Sequence, residues 1–129
     1  KMKTLLTVFT FLFTVMFSSI SFAGWTKIGE IISGDTYYVD FERIRKHDGF
    51  VYWWYMTDYL KPDKWGDISS KQYAQGDCDS FRFKTLSFVF YKLPMGGDTG
   101  EIQEPINKDW NYPPPDSMLE IILNEVCSQ

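Results

Sequence analysis

The stretch that decides the fold runs from Asp77 to Tyr91 and reads DCDSFRFKTLSFVFY. It joins Cys78, one of the two cysteines of the chain, to the longest run of residues typical of a β-strand. The second cysteine, Cys127, stands at the far end of the only convincing helical pattern. One covalent bond between the two cysteines would therefore fasten a C-terminal helix onto a sheet.

The apolar side chains of this stretch change sides partway along it. At its start Phe81 and Phe83 alternate with charged residues. From Leu86 onward the apolar residues occupy the alternate positions that were charged at the start. A bulge near residues 85–87 would produce this switch, and so would a strand that passes from an edge into a two-sided core. We expect a charged, cysteine-bearing start and a buried end.

The helix is predicted to begin after Ser117, because Ser117 and Glu120 form a capping box directly before an apolar periodic run. Spacings of three and four residues place the apolar side chains on one stripe, and Cys127 follows on the same side. The residues of this stripe are Leu119, Ile122, Leu123 and Val126. Helical periodicity and the number of cysteines thus predict the same docking of helix on sheet.

Strand patterns precede the helix along most of the chain. Residues 50–59 are apolar or aromatic on both parities, which is typical of a central strand. Asp40 follows a strand pattern and is predicted to cap either a single helical turn or a short irregular crossover. Weaker strand patterns occupy residues 25–32, 36–39, 69–75 and 101–104. We predict an α+β fold with five or six mostly antiparallel strands and one C-terminal helix packed on the sheet and tied to it by a disulfide.

Residues 1–23 are predicted to be a secretory signal peptide, because two lysines precede an apolar run that ends in a small-residue site at Ala23. The apolar core is short for the ~20 residues that span a bilayer. The mature chain would begin at Gly24 and not at a cysteine that could be acylated, so no stable membrane anchor is expected after cleavage. The predicted location is the periplasm or, after release, the cell surface.

The mature chain, residues 24–129, is long enough for one domain. The net charge of the whole chain is −4, and removal of the signal peptide with its two lysines makes the mature domain more acidic still. Acidity disfavours nucleic acid and anionic membranes as partners. Because exported proteins fold in an oxidising compartment, Cys78 and Cys127 are predicted to pair. In the chain-entropy model, a disulfide that closes a loop of about 50 residues stabilises the folded state by roughly 4 kcal/mol.

Groups that serve catalysis or metal binding are scarce. His47, the only histidine, stands in a sequence typical of an exposed turn. Residues 98–100, Asp-Thr-Gly, have the same sequence as the active-site tripeptide of aspartic proteases. Two glycines precede them where a protease has an apolar strand, so they are interpreted as a turn. Asp77 and Asp79 lack the oxygen spacing of a calcium loop. We therefore expect no metal, no cofactor and no enzyme; a carboxylate-dependent hydrolase using Asp98 is the alternative, and it would need two carboxyl groups about 5–10 Å apart in a cleft.

Four tryptophans are the candidate binding residues, because flat amphipathic rings stack on sugars and anchor protein interfaces. Trp53 and Trp54 belong to the central strand pattern, where a place in the core is the competing interpretation. Trp65 and Trp110 stand in predicted loops and are the better surface candidates.

The landmarks of the mature chain, taken in order, resemble the surface-adhesin protein E family of Gram-negative bacteria. The resemblance runs from Gly24 to Cys127. It is carried by Trp25, Tyr37-Tyr38-Val39-Asp40, Ile44-Arg45, Thr57-Asp58-Tyr59, Ser70-Lys71, Asp77-Cys78, Arg82, Met95-Gly96, Gly100, Trp110, Pro115-Asp116-Ser117 and Cys127.

The resemblance implies an antiparallel sheet with a C-terminal helix tied to it by the disulfide. It also implies an adhesin-like binding module that engages host extracellular-matrix or plasma proteins, or an envelope partner, through its surface. A small periplasmic enzyme and a structural envelope protein are the alternatives.

Overall fold

A computed structural model describes residues 24–129 of the chain, so the predicted signal peptide lies outside the described residues. Within this range the chain forms seven strands followed by one α-helix. The strands are β1 (Trp25–Glu30), β2 (Thr36–Asp40), β3 (Arg45–His47), β4 (Phe50–Asp58), β5 (Ser69–Asp77), β6 (Arg82–Tyr91) and β7 (Glu101–Gln103), and the helix is α1 (Met118–Cys127). Two short 3-10 turns occupy Phe41–Arg43 and Pro94–Gly96.

The strands form one antiparallel sheet in the order β1-β2-β4-β5-β6-β7, and β3 pairs with β4 beside this path. The predicted fold class is therefore confirmed, with one strand more than expected. The sequence analysis missed β3, because its three residues are polar and exposed and carry no apolar alternation. Asp48 and Gly49 connect β3 to β4 with φ of 51° and 83°, the left-handed conformation that two-residue hairpin turns require.

Strand β6 contains a bulge, which is the first of the two explanations that the sequence left open for its change in apolar parity. Tyr73 of β5 pairs with Ser87 and the next residue, Ala74, pairs with Thr85, so Leu86 is the extra residue. The bulge brings the later phenylalanines of β6 onto the face that carries Phe83. Those phenylalanines are only half-buried, however, because they lie outside the core cluster that α1 covers.

The core lies between α1 and one face of the sheet. Alternate residues of β4 point toward the helix, and the helix presents the stripe predicted for it. The buried cluster contains Val39, Val51, Trp53, Tyr55, Ala74, Phe83, Ile122, Leu123 and Val126. Leu119, the fourth predicted stripe residue, packs against this cluster while half-buried.

Both predicted caps are present. The Ser117 hydroxyl accepts a hydrogen bond from the Glu120 backbone N–H at 3.2 Å, as in a capping box. Glu120 Oε1 reaches one residue further than expected and accepts from the Asp116 N–H at 3.2 Å. The Asp40 carboxylate accepts from the Glu42 N–H at 3.2 Å and so begins the 3-10 turn after β2.

The predicted disulfide joins Cys78, in the turn after β5, to Cys127, the last residue of α1. The two Cα atoms are 5.8 Å apart, and the bond encloses a sequence separation of 49 residues. Helix and sheet are thus linked covalently where they meet. Among residues 24–129 no helix has the length and apolar character needed to cross a membrane.

Candidate binding face

The four candidate tryptophans lie in different environments. Trp53 points into the core and is 1% exposed, so it presents no surface to a partner. Trp65 lies in the loop between β4 and β5 and is 68% exposed. Trp54 follows Trp53 in β4 and therefore points to the opposite face of the sheet, where it is half-buried. Trp110, in the loop before α1, is also half-buried and packs against strand residues.

The face of the sheet that carries Trp54 has no α-helix of the described residues packed on it. Strand register shows which side chains share this face. Tyr52 of β4 pairs with Arg45 of β3 and with Gln75 of β5, and Gln75 pairs with Lys84 of β6. Directly paired residues point to the same side, so these four side chains form one row across four strands.

A second row runs parallel to the first, and together the rows define what we call the open face. Trp54 pairs with Tyr73, and a third row contains Met56 and Lys71. We define the open face by the following residues, whose side chains lie on this side of the sheet: Trp25, Arg45, Tyr52, Trp54, Lys71, Tyr73, Gln75 and Lys84.

Three aromatic side chains form a ridge along the middle of the open face. The ring centroids of Trp54 and Tyr73 are 4.9 Å apart, and those of Tyr52 and Tyr73 are 6.2 Å apart. Both distances are within the range of favourable aromatic pairs. The ridge therefore offers a continuous apolar platform of half-buried rings.

A hollow lies on each side of the ridge. The first has a volume of about 210 Å³ and is lined by residues that include Trp25, Trp54 and Lys71. The second has a volume of about 550 Å³ and is lined by Arg45, Lys46, His47, Tyr52 and Tyr73. The first is smaller than the roughly 300–1,000 Å³ of ordinary small-molecule sites, so it accommodates one ring or one charged group.

The ends of the open face are partly covered. At one end the 3-10 turn Pro94–Gly96 is anchored to the sheet, because the Met95 N–H donates to Asp58 Oδ1 at 2.8 Å and the Gly96 N–H to Ser69 Oγ at 2.9 Å. At the other end Trp110 folds over β6. Its ring lies 4.5 Å from the Arg82 guanidinium carbon, 4.6 Å from Lys84 Nζ and 5.6 Å from the ring of Phe50.

Basic residues on and beside the open face differ in whether they form ion pairs with acidic residues. Arg43, beside the first hollow, forms an ion pair with Asp40 at 3.2 Å. None of the ion pairs among residues 24–129 includes Arg45, Lys71 or Lys84. Burial lowers the pKa of Lys71, and the nearby positive charge of Arg43 acts in the same direction. Lys71 Nζ instead lies 5.0 Å from the ring of Tyr91 and 5.5 Å from that of Trp25.

The residues considered for catalysis are separated and exposed. The His47 side chain is 75% exposed, and its Nε2 lies 3.1 Å from Asp48 Oδ2. Asp98 is exposed in a turn with a φ of 72°, and its carboxylate accepts from the Thr99 N–H at 2.7 Å. Asp77 accepts from Arg82 Nε at 3.0 Å, and its pKa is lowered first by the backbone hydrogen bond from Ser80 and then by the hydrogen bond and charge of Arg82. No group of three metal-ligating side chains occurs within residues 24–129.

Sequence reasoning missed most of the open face. Arg45, Tyr52, Lys71, Tyr73 and Lys84 lie on four strands, and no local pattern connects them. The available indication was the run 50–59, whose aromatic residues on both parities exceed what a one-sided core uses. Only the register of β3, β5 and β6 shows which cations join those aromatics.

Comparison with known proteins identifies the family of the chain. The family model described as surface-adhesin protein E matches residues 25–128. No curated protein gave a significant sequence match.

Solved structures of protein E from Haemophilus influenzae share the fold. One crystal form aligns with a TM-score of 0.60 at 18% identity and covers 84% of this chain and 90% of that chain. Protein E from non-typeable Haemophilus influenzae aligns with a TM-score of 0.55 at 18% identity and covers 84% of this chain and 78% of that chain. At this identity the structural likeness concerns the fold. Because the family model covers nearly all of the described domain, the chain belongs to the surface-adhesin protein E family and is an adhesin-like surface protein.

Proposed function

We propose that the chain is an exported, non-enzymatic binding module that attaches to host extracellular-matrix or plasma proteins through its open face. The observation that carries this proposal is the aromatic ridge of Tyr52, Tyr73 and Trp54 on a sheet face that no α-helix of the described residues covers. Half-exposed aromatic rings on a rigid sheet lose little conformational freedom when they are buried by a partner, and such rings are enriched among residues that dominate binding.

Export belongs to the same proposal. A signal peptide over residues 1–23 would deliver the domain to an oxidising compartment, and the disulfide between Cys78 and Cys127 is the kind of bond that persists there. Family membership supports a cell-surface role, and periplasmic residence or release is the step that precedes it.

The non-enzymatic assignment is supported by the placement of the acidic groups. Asp98 lies in an exposed turn, whereas Asp40, which lines the first hollow of the open face, is neutralised by Arg43. A carboxylate-dependent hydrolase needs two carboxyl groups that face one cleft. Neither hollow of the open face is lined by two carboxylates.

Binding of the exported protein to a panel of purified matrix and plasma proteins tests the proposal. We expect saturable binding to at least one of them. The variants Trp54→Ala and Tyr73→Ala should weaken it about tenfold or more, because hot-spot truncations cost roughly 2 kcal/mol or more. Ile121→Ala is the matched control, since Ile121 is 43% exposed on α1 and lies away from the open face.

Two outcomes would contradict the proposal. Equal binding by the parent and both open-face variants would place the contact on another surface. A lack of saturable binding across the panel would remove the function itself. The predicted export is checked separately by mass spectrometry of the secreted chain, which should begin at Gly24, and by protease accessibility on intact cells.

A further inference from the structure

We propose that the open face recognises an acidic glycan with sparsely spaced carboxylates, such as a polymer in which uronic acids alternate with neutral sugars. In this arrangement sugar rings stack on the aromatic ridge and carboxylates meet Arg45, Lys71 and Lys84. The inference rests on the proposed function of the open face as a binding surface and adds an acidic glycan to the host proteins proposed as its ligands.

The charge of the open face opposes that of the chain. Acidic residues outnumber basic ones by 17 to 13 over the whole chain, which gives a net charge of −4. Arg45, Lys71 and Lys84 nevertheless lie on the open face without ion-pair partners among residues 24–129. The nearby carboxylates of Asp40 and Asp77 are engaged by Arg43 and Arg82 at 3.2 Å and 3.0 Å. Arg45, Lys71 and Lys84 are therefore available to pair with an external anion.

Spacing of the cations points to a polymer. Arg45 and Lys84 stand at the ends of a row that crosses four adjacent strands. Strands lie about 4.8 Å apart, so the two positions are separated by about 14 Å. One small anion cannot meet both cations, whereas a chain with repeated acidic groups can. Between them stand Tyr52 and Gln75, whose hydroxyl and amide groups suit sugar hydroxyls.

The ridge and its hollows favour sugar rings over other polyanions. A pyranose presents an apolar C–H face that matches the flat surface of Trp54 and Tyr73. The hollow of about 210 Å³ between Trp25, Trp54 and Lys71 admits one ring-sized group beside the ridge.

Nucleic acid carries a phosphate at every nucleotide and is normally bound by many closely spaced basic contacts. Three dispersed cations instead match a polymer with about one charge for every two sugars. An acidic homopolymer such as polyglutamate supplies charge but no ring that could stack on the ridge.

The test uses the exported protein and four probes of similar length in a titration calorimeter. Hyaluronate oligosaccharides carry one carboxylate for every two sugars, dextran oligosaccharides carry none, and polyglutamate and single-stranded DNA carry charge without sugar stacking of this kind. We expect saturable binding of hyaluronate and much weaker binding of the other three.

Variants assign the contacts. Arg45→Ala and Lys84→Ala should each weaken hyaluronate binding several-fold, and Arg45→Lys should restore most of it, because the charge is retained. Lys61→Ala is the charge-matched control in an exposed loop and should leave binding unchanged. Thermal unfolding of each variant shows that the fold is kept.

Polyglutamate or DNA binding as tight as hyaluronate binding would overturn the inference, because the face would then recognise charge alone. Absence of hyaluronate binding would overturn it as well. If matrix-protein binding still depended on Trp54 and Tyr73 in that case, the proposed function would stand and only the glycan inference would fail. If neither hyaluronate nor any matrix protein bound, both the glycan inference and the proposed function would fail.

Discussion

A Cβ atom on Gly76 would lie 2.8 Å from Cζ3 of Trp53, closer than atoms of two residues can normally pack. The same position would be 2.9 Å from Cγ1 of Val51 and 3.0 Å from Cδ1 of Leu123. Gly76 therefore occupies the point where β4, β5 and α1 come together. The missing side chain allows the indole of Trp53 to lie against β5 and allows α1 to approach the sheet.

Gly76→Ala should lower the free energy of unfolding by roughly 1–3 kcal/mol, because an added methyl group forces a tightly packed core to shift. The measurement is denaturant unfolding of the purified protein. Gln75→Ala is the control, since Gln75 precedes Gly76 in β5 and points to the open face; it should change stability by no more than about 0.5 kcal/mol. Equal stability of Gly76→Ala and the parent would show that the core has room at this site.

Removal of the disulfide by the double change Cys78→Ser and Cys127→Ser should lower stability by about 2–5 kcal/mol. The bond encloses 49 residues of sequence separation and links the end of α1 to the turn after β5, so its loss frees both in the unfolded chain. Thermal unfolding under oxidising conditions measures the effect. The parent protein in a strong reductant should resemble the variant, and unchanged stability of both would contradict the structural role assigned to the bond.

Trp110 and Trp65 should respond differently to truncation. Trp110→Ala removes ring contacts with Phe50, Arg82 and Lys84 and should cost roughly 1–3 kcal/mol, since aromatic and cation–π contacts are worth about 0.5–1.5 kcal/mol each. Trp65→Ala should stay within about 0.5 kcal/mol of the parent, because its side chain is exposed. Chemical unfolding of the two variants side by side decides the matter; equal effects would contradict the packing described for Trp110.

Stability should fall as the solution becomes alkaline. Burial raises the pKa of Tyr55 and of Tyr37 in the folded protein, whereas tyrosines of an unfolded chain titrate near pH ~10. Below that pH the contribution of these groups to stability is complete, and it is lost as the pH rises toward their folded pKa values. Denaturant unfolding at a series of pH values above about 9 measures the decline.

Tyr55→Phe tests the origin of the alkaline decline. The variant removes the phenol that is buried most deeply, so its stability should fall less steeply above pH ~10. At neutral pH the variant should be less stable than the parent by about 1 kcal/mol, since it loses the buried hydroxyl group and its interaction with Thr85. Parallel declines for variant and parent would assign the effect to other groups.

Local features of the fold could be predicted from the sequence. Ser117 and Glu120 mark the start of the helix because a capping interaction involves residues three positions apart. The turn at Asp48 and Gly49 follows from the left-handed conformation that such residues tolerate. The change in apolar parity of β6 was visible because a strand has a period of two, but the strand register was needed to show that a bulge at Leu86 causes it.

Tertiary structure alone decided which side of each strand became a surface. Residues 50–58 are largely apolar or aromatic on both parities, so the sequence by itself determined a central strand but not that Trp53 would lie in the core and Trp54 half-buried on the open face. The position of α1 made that choice, since the helix covers only one face. Arg45 and Lys84 lie beside the aromatic ridge because of the registers of β3, β4, β5 and β6. These registers arise from long-range strand pairing and packing.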